Sequence, residues 1–84
     1  MATPGNWKVQ SGHGTQLLVD GKVDHRYRIA NSATSNVDAY LTVDKVESAL
    51  QIGEHRDVVG KKIEVKLKSN SGNAVASGTY DNLD

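Results

Sequence analysis

At 84 residues the chain is one small domain, able to bury only about 60–65% of its unfolded surface. Ten basic and ten acidic side chains leave no formal net charge, which argues against a general nucleic-acid binder and against a polybasic membrane-surface segment. No apolar run approaches the roughly 18 residues of a membrane-spanning helix, and the absence of cysteine excludes disulfides, a thiol nucleophile and cysteine-based zinc.

Val and Ile outnumber Leu, and Phe is absent. The core is therefore aliphatic, helped by Trp7, Tyr27, Tyr40 and Tyr80, and β-branched residues suit a pleated, half-buried surface. The opening MATPGNWKVQ lacks the basic start and apolar run of a signal peptide, no N-x-[ST] sequon is present, and zero cysteine is compatible with the cytoplasm while leaving the compartment open.

In chain order, residues 1–6 read as a leader of small and breaking residues. Trp7 and Val9 alternate with Lys8 and Gln10 as a short strand. SGHGT (11–15) is a loop, and QLLVD (16–20) is a strand. Asp20-Gly21 is the strongest hairpin signal, because Asp-Gly fits a type I′ turn. KVDHRYRIA (22–30) returns with Val23, His25, Tyr27 and Ile29 on one face and Asp24, Arg26 and Arg28 on the other. NSATSN (31–36) is a polar loop, and VDAYLTV (37–43) alternates again.

Residues 44–52 admit two readings. Asp44 as N-cap with Glu47 three residues on gives a capping box and a short helix near 45–52 closed by Gly53. A tight turn at Asp44-Lys45 gives instead a strand with Val46, Ser48, Leu50 and Ile52 on one face. LLVDGKVDHRYRI and LTVDKVESALQI align once a glycine is dropped, which favours the strand. GEHRD (53–57) is the next loop, Gly60-Lys61 a turn, and KIEVKLK (62–68) the cleanest alternation. SNSGN (69–73) is turn chemistry, AVASGTY (74–80) a last strand, and 81–84 a tail.

Six to seven short strands at this spacing describe an all-β fold, a small antiparallel β-sandwich or barrel spanning 1–84; the helical reading of 45–52 makes it α+β. Crossover helices for a parallel sheet have no room.

No constellation commits the chain to catalysis. Ser11 and His13 are sequence neighbours, which seldom form a nucleophile–base pair, and no G-x-S-x-G elbow or phosphate loop appears. Glu54, His55 and Asp57 are metal-ligand types, but a dense run on one loop rarely aims three side chains at one centre. His13, His25 and His55 have no spacing that supports a shared ion. No cofactor, metal or catalytic residue is expected.

What remains is a protein-interaction module, an adaptor, assembly subunit or inhibitor, acting through loops or an exposed sheet edge. Its partner is another protein or a second copy, not a membrane. The candidate binding residues are Glu54, His55, Arg56 and Asp57 of GEHRD together with Tyr40, since Arg and Tyr are enriched in binding hot spots. Two alternatives are carried. One is a small-ligand or carbohydrate-binding β domain, with Trp7 beside Asn6 and Tyr40 beside Asp38 as platforms. The other is a single-stranded nucleic-acid-binding sheet, using Arg26, Arg28, Lys62, Lys66 and Lys68 with Tyr40 for stacking; the zero net charge and the interspersed Asp24, Asp38 and Glu64 disfavour it.

Overall fold

A computed structural model describes residues 5–12, 14–68 and 72–84. These residues form β1 (Gly5–Gln10), β2 (Gln16–Asn31), β3 (Ala39–Val43), β4 (Val46–Leu50), β5 (His55–Lys66) and β6 (Val75–Asn82). All pairings are antiparallel, in one six-stranded sheet of order β1-β6-β2-β5-β3-β4. The fold is all-β, as the alternation implies.

Two long strands organise the molecule. The C-terminal half of β2 and the first half of β5 pair through His25–Ala30 and His55–Gly60, and the same part of β2 pairs with β6. The N-terminal half of β2 pairs with β5 around residues 62–65, and β3 continues the sheet from that half of β5. Between the halves the β2–β5 register slips, from Asp20↔Lys62 to His25↔Gly60. A slip of this kind bends a strand from one sheet into another. Trp7 and Val9 of one edge strand share a buried core with Leu50 of the other edge strand, together with Ile29, Ala39, Leu41, Ile63, Val65 and Ala76. A flat sheet cannot bring its two edges together. The ladder is therefore doubled over: β1, β6 and the adjoining halves of β2 and β5 form one layer, and the other halves with β3 and β4 form the second.

Gly60 sits at the bend and is buried. A Cβ there would stand 2.5 Å from Val43 Cγ1 and 3.1 Å from Asp44 Oδ2, so the close approach of the β3–β4 hairpin requires glycine. Asp44 also accepts from the backbone N–H groups of Lys61 and Lys62, satisfying donors that the bend takes out of the ladder.

Residues 44–52 follow the strand reading and hold no helix: Asp44 (φ 48°) and Lys45 (φ 73°) make the tight turn, with β4 following. Both turn residues at positive φ are the signature of a type I′ hairpin. Other sequence expectations are corrected. Asp20-Gly21 is no hairpin, because β2 runs through it, and Gly60-Lys61 is likewise interior to β5. Gly60 serves the bend between layers, whereas a Cβ at Gly21 would make only ordinary contacts, the nearest at 3.6 Å. Residues 5 and 6, expected in a leader, open β1, and residues 81 and 82, expected in a tail, close β6. Part of SNSGN and His13 of SGHGT lie outside the described residues.

Candidate functional site

GEHRD is half turn and half strand. Gly53 takes φ 78°, Glu54 N–H donates to Gln51 O at 2.9 Å, and His55 starts β5. The turn is anchored from below by Asn31, whose N–H donates to Glu54 O and whose carbonyl accepts from Gly53 N–H. The Asn31 side chain is 2% exposed and donates from Nδ2 to Leu50 O at 3.0 Å. One buried carboxamide thus ties the end of β2 to the end of β4, and the chain arches from one layer to the other.

Strand alternation then divides the candidate residues. Glu54 and Arg56 lie on the inward side. The Arg56 guanidinium donates to Glu54 Oε2, Ser48 Oγ and Ala49 O, each at 2.8 Å. Glu54 Oε1 accepts from Gln51 N–H, and this bond with the Arg56 contact holds the Glu54 carboxyl below its ordinary range. His55 and Asp57 lie on the outward side, both exposed. Asp57 forms a bidentate pair with Arg28, Nε to Oδ1 at 2.8 Å and Nη2 to Oδ2 at 3.1 Å, which lowers its carboxyl and fixes its orientation. The three metal-ligand types of GEHRD therefore do not converge, and the described residues contain no cluster of three or more His, Cys, Asp or Glu able to hold an ion.

Tyr40 is not part of this group. It pairs with Lys66 and Ala49 on the outer face of the second layer, with Lys68 Nζ 4.4 Å above its ring. Lys66 and Lys68 in turn bind Glu47. Arg26 and Arg28 occupy the other layer, opposite Asp84 and Asp57, so the basic residues do not share one face. Trp7 is 2% exposed and its indole N–H donates to Thr79 O, which makes it core rather than a platform. With Asn6, Lys8, Ser32, Ser77 and Thr79 it also lines a shallow depression of about 380 Å³. Its lining has no carboxylate or imidazole.

The loops are less available than the sequence suggests. NSATSN is docked on β6: Ser32 N–H donates to Ser77 O, Ser35 Oγ bridges the Ser77 N–H and carbonyl, and Asn36 does the same for Val75 N–H and Asn73 O.

The sheet edges are the feature that sequence reading could not resolve. Asp44 N–H donates to Lys62 O, so even-numbered residues of β3 face β5 and odd ones face β4. By the β3–β4 register, Val46, Ser48 and Leu50 turn their backbone groups to β3, and those of Glu47 and Ala49 face out. Arg56 caps Ala49 O on that open side. The Asn31–Glu54 bond sets the β2–β5 ladder in the same way: Arg56 and Val58 bond to β2, and the backbone groups of His55, Asp57 and Val59 face away from it. β3 joins β5 only from residue 63 onward. Among the described residues, 55–59 of β5 are therefore an unpaired edge, with Val59 56% exposed. On the opposite side of the molecule, Gln16 Oε1 accepts from Lys8 N–H of β1.

No protein-family model matches the chain, no curated protein matches it, and no solved structure matches it.

Proposed function

We propose that the protein is an interaction module whose binding element is the free edge of β5 at residues 55–59, which accepts an extended strand of a partner protein. The observation that carries this reading is the stretch of outward backbone N–H and C=O groups at His55, Asp57 and Val59, unpaired by any strand among the described residues, in a segment held rigid by its ladder with β2. An edge of this kind supplies main-chain hydrogen bonds for affinity and alternate side chains for selectivity. Arg56 favours β5 over β4 as the acceptor, because it covers the β4 edge while its side chain leaves the β5 edge open. The exposed Val59 and Ile52, at 56% and 42%, add apolar surface at the two ends.

The test is selection of extended peptides from a displayed library, followed by amide hydrogen exchange. Bound peptide should slow exchange at His55, Asp57 and Val59 and leave Arg56 and Val58, already slow, unchanged. Val59→Pro removes an outward N–H that the ladder with β2 does not use, and should weaken capture. Binders that protect residues 32–38 instead would overturn the reading in favour of a loop surface.

A further inference from the structure

Resting on that reading, we infer that the β5 edge is self-complementary and that its partner is a second copy of this chain, paired antiparallel about a two-fold axis at Arg56. The outward edge residues are His55, Asp57 and Val59. In antiparallel pairing, only residues whose backbone groups face out can form the hydrogen-bonded pairs, so the axis must fall where odd-numbered residues oppose one another. With the axis at Arg56, His55 of each copy stands opposite Asp57 of the other, twice. Each of these pairs exchanges main-chain hydrogen bonds and also sets an imidazole N–H donor across from a carboxylate acceptor on the same outer face. With the axis one residue on, Asp57 opposes Asp57 and two carboxylates meet. With the axis at Val58, Asp57 opposes Val59 and its carboxylate gains no donor. The Arg56 register is the one in which charge and hydrogen bonding agree.

Two features prepare the edge for this partner. Arg28 holds the Asp57 carboxylate by two bonds, so the acceptor is oriented before association, and each oxygen keeps a lone pair for the incoming imidazole. At the axis itself, the two Arg56 side chains start on the inward face. Each is already engaged by its own Glu54, Ser48 and Ala49, so the like charges are neutralised within each copy. The result joins two four-strand layers into one continuous sheet, an isologous contact that closes on itself.

The experiment is sedimentation velocity across a concentration series for the wild-type chain, His55→Asp, Asp57→His and the swapped double variant, with urea unfolding to confirm that each is folded. Wild type should show a monomer–dimer equilibrium. Each single variant should weaken it by roughly two- to thirtyfold, the span set by two cross-strand pairs of ordinary strength. The swap should restore part of the loss, because the exchanged carboxylate and imidazole again stand opposite each other in the same register, although Arg28 no longer orients the carboxylate. A swapped double variant that stays folded but dimerises no better than the two single variants overturns the inference. A wild-type chain that stays monomeric at millimolar concentration also overturns it. If selected peptides still protect His55, Asp57 and Val59, the acceptor edge stands and only the second copy is wrong; if they do not, both readings fall.

Discussion

At the level of single residues, two buried positions hold the architecture. Gly60 allows Val43 and Asp44 to close against the bend. Gly60→Ala inserts a methyl group into that contact and should cost about 1–3 kcal/mol, the usual range for overpacking, measured by urea unfolding. Asn31 bridges the layers through Leu50 O, and its Oδ1 is buried without a hydrogen-bond partner in the described structure. Asn31→Ala removes the unpaired Oδ1 together with the bridge and opens a small void, while Leu50 O keeps its ladder partner in β3. A net loss of about 1–3 kcal/mol is expected, with faster amide exchange at Gly53 and Glu54 as the local readout. Neither role is legible in the sequence. A glycine at a bend and a glycine at a turn look the same, and Asn31 opens a polar stretch that reads as loop.

At the level of elements, the β3–β4 hairpin shows where sequence reasoning succeeds. Its turn lies in Asp44-Lys45, and the repeat between residues 17–29 and 41–52 pointed to a strand there. Turn chemistry alone misled at Asp20-Gly21, where the local Asp-Gly preference yielded to the longer β2–β5 ladder. Lys45 holds φ 73°, a conformation that costs a side-chain-bearing residue about 1 kcal/mol. Lys45→Gly should therefore stabilise the protein by about 0.5–1 kcal/mol, raising its urea midpoint. The elements are also laced by carboxylates: Glu47 with Lys66 and Lys68, Glu54 with Gln51 N–H and Arg56, Asp57 with Arg28, and Asp84 with His25. All four carboxyls are lowered by these contacts. A carboxyl that is more acidic folded than unfolded adds stability that is fully present above its unfolded range, near pH 4, and is lost as pH falls through the lowered folded value. The urea midpoint should hold from about pH 7 to 5 and drop below about pH 4, and the drop should be shallower in Asp57→Asn.

For the whole molecule, the alternation of KIEVKLK and VDAYLTV conveyed an antiparallel β protein, but not that β2 and β5 each serve two layers. That depends on a register slip spread over residues 20–25 and on contacts distant in sequence. The GEHRD site was legible as a place and not as a geometry: the residues are adjacent, yet alternation sends Arg56 inward to cap β4 and His55 outward to an edge. The doubled-over sheet makes a strong claim about cooperativity. Trp7, the one tryptophan, lies in β1, and Leu50 lies in β4 at the opposite end of the strand order, yet both belong to one core. If β2 and β5 couple the layers through that core, no layer can melt alone. Leu50→Ala should then cost about 2–5 kcal/mol, and Trp7 fluorescence should report the whole loss although no ladder hydrogen bond joins the two strands. Far-UV circular dichroism should give the same midpoint, as a two-state transition requires. A Trp7 transition that stays at the wild-type midpoint while circular dichroism shifts would mean that the layers unfold separately, and that the bends in β2 and β5 act as hinges between two small sheets rather than as the spine of one.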